Sequence, residues 1–206
     1  MSLLKGALNV TRYRVLDSPE EISNEFLAAH LQKNAFLDID STTEEESFGW
    51  VEVLNTFSTE FRTDSFNFGP VLMFGLRIDT RRVSNKTVNR YLAMAVAQAE
   101  QYSPKPLSND QKRELKAKVR LELLGRTPVT TDVFEVCWLV GEQELWLVGT
   151  GVKVRERFED QWRRTFGLGL IMKIPYVLAK ENLPPNLTPE VLDQVRPAAL
   201  FGGPRG

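Results

Sequence analysis

The chain has one cysteine and one histidine in 206 residues. A single cysteine excludes an intramolecular disulfide and fits a reducing compartment. One Cys with one His is too few soft ligands for a zinc site, so no metal centre of that kind is expected. Long apolar runs are also missing. The longest, "LGLIMKIPYVLA", is interrupted by Lys173 and Pro175. It falls far short of the roughly 20 residues that cross a bilayer, so no membrane partner is expected. The opening "MSLLKGALNV" lacks a long apolar segment followed by a small-residue cleavage site, which reads as no secretory signal and a cytoplasmic protein. "GLGL" and "GTGVK" are not phosphate loops, because no Gly-Lys-Ser/Thr follows at the required spacing.

Net charge is nearly absent, at −1, but its distribution is not even. Residues 1–64 hold 5 Lys/Arg against 12 Asp/Glu, and residues 65–180 hold 19 against 12. An acidic first third and a basic remainder suggest either a surface for polyanions or two faces that neutralise each other within one fold.

Periodicity divides the chain into alternating strands and helices. "ALNVTRYRVL" alternates and predicts a strand over 7–16. "DSPEEISNEFLAAHL" predicts a helix, with Ser18 as N-cap, Pro19 at N1 and Glu21 closing a capping box. "FGWVEVL" and "GPVLMFGLRID" read as antiparallel neighbouring strands. "SNKTVNRYLAMAVAQAEQY" is a helix from about Ser84. The next helix is capped at Ser108 and ends at Leu124 with Gly125 as its stop. "TDVFEVCWLVGEQELWLVGTG" is a hairpin that turns at Gly141–Gln143. "VRERFEDQWRRTF" is a helix with Phe158, Trp162 and Phe166 on one stripe, and "LGLIMKIPYVLA" is the last strand. The order β-α-β-β-α-α-β-β-α-β predicts an α+β protein of two small antiparallel-sheet/helix halves. These are 1–80, then 81–180 with the basic connector helices, followed by a Pro/Gly-rich tail over 181–206 with a short helix near Pro189–Val195.

"QKRELKAKVRLELLGRT" carries the most information. At 100° per residue, Leu115, Val119 and Leu123 form one apolar stripe, and Ala117, Leu121 and Leu124 form another roughly opposite. Two apolar faces predict a helix wedged between two packing partners. Of the polar stripes between them, Glu114, Lys118 and Glu122 neutralise each other, whereas Arg113, Lys116 and Arg120 have no acid among them. Arg81, Arg82, Lys86 and Arg90 form a second such cluster. Together with Arg126 these are the candidate phosphate contacts. The basic residues of "VRERFEDQWRRTF" alternate with Glu156, Glu159 and Asp160 and read as a solvated face with intrahelical pairs.

"LLKGALNVTRYRV", a helix and "FGWVEV", then a basic helix ending in "LLGRT", the strands "VFEVCWLV" and "ELWLVGTG", a helix and "GLIMKIPYVLA" together resemble the recombination-associated protein RdgC family. The resemblance covers residues 4–179, and the family's C-terminal region has no counterpart in it. It implies a nucleoid-associated protein that binds double-stranded DNA with little sequence preference, forms a ring-shaped dimer and restrains a recombinase. The family's Leu-Leu-Pro-Arg-Ala-Phe matches here only to Arg126. Thr127, Pro128 and Val129 follow, so the family's Phe contact does not carry over.

No catalytic constellation is visible, and no enzyme or cofactor is expected. His30 is a lone helical histidine. Cys137 lies in an apolar strand without a basic partner. The acidic run "DIDSTTEEE", with Asp38, Asp40 and Glu44 to Glu46, offers hard oxygen ligands for Mg²⁺ and hence a nuclease as the least favoured reading. A non-enzymatic DNA-binding protein is the first reading. The alternative is a protein-interaction or self-association module with complementary acidic and basic surfaces.

Overall fold

A computed structural model describes residues 9–17, 22–102 and 105–194. Strand β1, Val10–Val15, alternates between a buried face with Tyr13 and Val15 and an outer face with Arg12 and Arg14. Helix α1, Asn24–Lys33, starts at Ser23, whose hydroxyl accepts the Phe26 N–H at 3.1 Å. The expected box at Ser18, Pro19 and Glu21 lies outside the described residues. Strand β2, Glu46–Val51, is followed by the single-turn helix α2, Thr63–Phe66, and the two-residue strand β3, Asn67–Phe68, neither of them expected from sequence. Strand β4, Val71–Thr80, precedes helices α3, Asn85–Gln101, and α4, Asn109–Arg126. Strands β5, Thr130–Leu139, and β6, Glu144–Val148, are joined by a 3-10 turn in which Gln143 adopts φ 53°. Helix α5, Val152–Phe166, strand β7, Leu170–Met172, and the short helices α6, Pro175–Glu181, and α7, Glu190–Gln194, complete the order.

The α+β class and the order of the main elements are those expected, but the strands form one antiparallel sheet in the order β2-β4-β5-β6-β1-β7, with β3 beside β4. Residues from both sides of the expected boundary at 80 pair directly. β4 and β5 run together from Leu72↔Trp138 to Thr80↔Thr130, and Tyr13 of β1 lies opposite Leu145 of β6. The physical reason is the length of β4 and β5, 10 residues each, which lets them pair along their whole extent rather than close two smaller sheets.

One sheet face forms the core. Trp50, Phe74, Val136, Trp138, Leu145 and Leu147 meet Leu27 and Leu31 of α1 and Phe158 and Trp162 of α5, all of them buried. The stripe Phe158, Trp162, Phe166 packs inward as the spacing predicts. Trp162 meets Trp138 edge-on at 4.8 Å, and Phe166 packs on both rings. The Trp50 indole N–H reaches across to donate to Thr165 Oγ1 at 2.7 Å. Gly49 in "FGWVEV" is required by close approach. A Cβ there would sit 2.5 Å from the Phe36 backbone, where the segment after α1 crosses the strand.

The last expected strand is shorter than its sequence suggests. It stops at Met172, and Pro175 opens α6 at the first helical turn with Ile174 held extended before it. A proline suits N1, where its missing N–H is not needed, and it keeps the preceding residue out of the α region. In the tail, the short helix α7 stands near its expected place, and the Tyr176 hydroxyl donates to Asp193 at 2.9 Å. Residues 195–206 lie outside the described set. No helix of the described residues is long and apolar enough to cross a membrane.

Candidate nucleic-acid interface

Thr80 and Thr130 are paired, so the chain leaves the sheet and re-enters it at the same point. What lies between them is a helical hairpin in place of a turn. Its two helices are capped at their starts. Ser84 accepts from the Thr87 N–H at 3.1 Å. The Ser108 hydroxyl accepts from the Gln111 N–H at 3.2 Å while the Ser108 N–H donates to Gln111 Oε1 at 2.9 Å, completing the expected capping box. The second helix passes through Gly125 and ends at Arg126, not at Leu124. Pro128 is the reason, since it forces Thr127 out of the α region.

The two helices pack chiefly on each other. Leu115 and Val119 line a shallow cleft between the helices together with Ala95 and Ala99, and Leu123 lines its neighbour together with Tyr91 and Met94. The opposite stripe does not find the second partner expected for it. Ala117 is exposed and Leu121 is 52% exposed, and only Leu124, at the root, is buried. The hairpin is therefore buried on one side and projects from the sheet rather than bridging two halves.

At the root sits Arg81, one of the expected phosphate contacts. It is 2% exposed. Its Nη1 donates to the carbonyls of Thr42 at 2.5 Å and Leu124 at 3.0 Å, and its Nη2 to those of Ile39 at 3.0 Å and Asp40 at 3.3 Å. Its backbone N–H donates to the Glu45 carbonyl. This is a correction to the sequence reading: Arg81 is a structural joint. It adds a second donor to the Leu124 carbonyl, which also accepts from the Thr127 N–H, at the C-terminus of α4, where a cation is electrostatically favoured, and fastens that end to the segment 39–42. Arg81 and Arg82 are indistinguishable in the sequence. Continued past β4, the alternation puts Arg81 on the sheet face of Arg77 and Asp79, where the segment 39–42 covers it, and Arg82 on the side of Ile78 and Thr80, where it is exposed.

Arg82, Lys86, Arg90, Arg113, Lys116 and Arg126 are all exposed. Arg90 lies over the Tyr91 ring at 5.4 Å. Arg113 and Lys116 form no ion pair among the described residues. Across residues 82–127 the hairpin carries 10 Lys/Arg against 4 Asp/Glu. Arg120 differs from its neighbours. It is half-buried, and its Nη2 and Nε lie 2.7 and 3.1 Å from Glu45 Oε1. Arg82 faces a cleft of about 260 Å³ that also holds Lys153 and Arg157, but Glu46, Asp132 and Glu156 line it as well. Its three cations are thus matched by three acids, unlike the cation surplus of the hairpin.

The sequence offers the acidic run as a candidate metal loop and the acidic first third as a complement to the basic remainder, but it does not say which glutamate meets which arginine. Glu45 pairs with Arg120 and Glu46 with Arg157, so part of the acid–base complementarity is satisfied within the chain. Helix α5 has the expected intrahelical pair, Arg164 with Asp160 at 2.6 Å. His30 stacks on Phe26 and donates from Nδ1 to the Phe26 carbonyl at 2.8 Å. Cys137 is buried, and burial pushes its thiol above the ordinary value, which disfavours the nucleophilic thiolate. Outside the hairpin, the open sheet face holds a charged cluster. Burial alone would raise the Glu144 carboxyl. Hydrogen bonds from Lys173 at 2.9 Å, from the Trp146 indole at 2.7 Å and from Arg12 at 2.5 Å outweigh it and hold the carboxyl below its usual range.

No curated protein matches the chain. A family model described as "Putative exonuclease, RdgC" matches residues 8–176. That span takes in β1 through the start of α6, the sheet and the whole hairpin included, and the chain belongs to the RdgC family.

Proposed function

We propose that the protein binds double-stranded DNA without sequence preference, through the helical hairpin, and that it does so without catalysing a reaction on the DNA. The observation that carries this reading is the hairpin's surplus of exposed cations, Arg113 and Lys116 above all, on an element that projects from the body. Cations spaced along a projecting helical pair can follow a phosphate backbone, and such contacts are indifferent to sequence. Family membership associates the chain with DNA and recombination. A dimer that encircles DNA in the bacterial nucleoid and limits access of a recombinase is the form of action this suggests.

The family's description names an exonuclease, and the acidic segment would be its natural source of carboxylates. Two of those carboxylates, Glu45 and Glu46, are engaged with arginines, which favours the binding reading. The test replaces Arg113 and Lys116 together by Gln, which nearly preserves helix propensity. The fold should persist, and the log–log salt slope of duplex binding should fall by about 1.8, at roughly 0.9 per phosphate contact. An unchanged slope would remove the hairpin from the interface. Shortening of an end-labelled duplex by the wild type with Mg²⁺ would overturn the non-enzymatic part.

A further inference from the structure

The acidic segment 38–46 is held against the root of the hairpin by contacts that do not involve its carboxylates. Arg81 donates to three of its carbonyls, those of Ile39, Asp40 and Thr42, and to that of Glu45 through its backbone N–H. The Glu45 backbone is thereby fixed, and its side chain is presented to Arg120, with one carboxylate oxygen accepting from both Nε and Nη2. Arg120 is the body-proximal member of the stripe that continues outward through Lys116 and Arg113. Glu46, the next residue, accepts from Nε of Arg157 of α5. A carboxylate held at a guanidinium occupies the position a phosphate oxygen would take, with the same charge sign and the same donors.

We propose that this segment is a built-in competitor for polyanions: Glu45 occupies Arg120 in the free protein, and a phosphate gains that guanidinium only by displacing it. Arg113 and Lys116 are open from the start, whereas Arg120 is withheld. The pair is half-exposed, at 39% and 47%, so the competition is modest and weakens with salt. As applied to DNA it rests on the reading given above; the competition itself concerns any polyanion.

The experiment uses the full chain and four variants, Glu45→Gln, Glu44→Gln, Arg120→Gln and the double variant Glu45→Gln/Arg120→Gln. Each is titrated with a fluorescent duplex over a range of salt and eluted from heparin by a salt gradient. Glu44 is the control, since it lies in the same segment and carries the same charge but forms no ion pair among the described residues. Glu45→Gln should bind duplex about two- to fivefold more tightly at low salt, the range an exposed ion pair allows. Its salt slope should steepen by about 0.9, and it should elute later from heparin than Glu44→Gln. Arg120→Gln should change little alone and abolish the whole gain in the double variant. If Glu45→Gln matches Glu44→Gln in slope and elution, the competitor is refuted while duplex binding by the wild type stands. If no variant binds duplex, the DNA reading fails. Heparin elution then decides the competition by itself: later elution of Glu45→Gln supports it, and elution equal to that of Glu44→Gln overturns it.

Discussion

Replacing Arg81 by Met and Arg82 by Gln should give opposite phenotypes, although the two are adjacent arginines. Met fills much of the space of the Arg81 stem but offers no donors. The carbonyls of Leu124 and Ile39 are reached by buried hydrogen bonds, and those of Thr42 and Asp40 by partly buried ones. Water can replace the latter two. The first two keep another donor, the Thr127 N–H on Leu124 and the Thr42 N–H on Ile39, so what is lost there is two charge-assisted hydrogen bonds at about 1.5–3 kcal/mol each, roughly 3–6 kcal/mol together. Relief from burying a guanidinium offsets part of this, so the net loss should be about 2–4 kcal/mol. For a chain of this size that lowers Tm by roughly 4–16 °C, at about 2–4 °C per kcal/mol. Arg82→Gln removes an exposed charge and should stay within about 0.5 kcal/mol of the wild type, while weakening duplex binding if Arg82 touches phosphate. Thermal unfolding followed by far-UV circular dichroism, beside a duplex titration, separates the two. Arg81→Met with wild-type stability and a shallower salt slope would mean that Arg81 is a surface phosphate ligand and that the joint is misread.

Three further outcomes follow from particular contacts. Leu121→Gln should leave the urea midpoint almost unchanged, within about 0.5 kcal/mol, while Leu124→Ala should cost roughly 2–5 kcal/mol; equal losses would restore the two-sided burial of α4. Gly49→Ala should destabilise by about 1–3 kcal/mol or more, because the added methyl meets backbone rather than a movable side chain, and a neutral result in chemical denaturation would contradict that close approach. Glu144 has a folded-state pKa below its unfolded one, so its contribution is present above the unfolded value and is lost as pH falls through the lower folded one. Urea unfolding at decreasing pH should show that loss in the wild type and not in Glu144→Gln, and parallel profiles would refute the assignment.

Much of the fold was legible because its signals are local. The capping box at Ser108, the aromatic stripe of α5 and the pairing of β2 with β4 follow from spacing within one or two elements. What could not be read depends on distant partners. Whether Leu121 is buried depends on whether another layer exists beyond α4, which no helical wheel records. Whether Arg81 faces solvent depends on where the carbonyls of 39–42 come to lie. The pairing of Glu45 with Arg120 spans 75 residues of sequence. The spacing therefore assigns most of the candidate cations to the helices that carry them, α3 and α4, but which of them are exposed, paired or buried is decided by tertiary structure.

The most direct test is the salt dependence of wild-type binding to two duplexes of equal length and unrelated sequence. Affinity should fall steeply and linearly on logarithmic axes, with a slope of about −0.9 for each phosphate neutralised, and the two lines should coincide. No binding at low salt, a slope near zero, or lines separated by sequence would contradict a sequence-indifferent electrostatic interface on the hairpin.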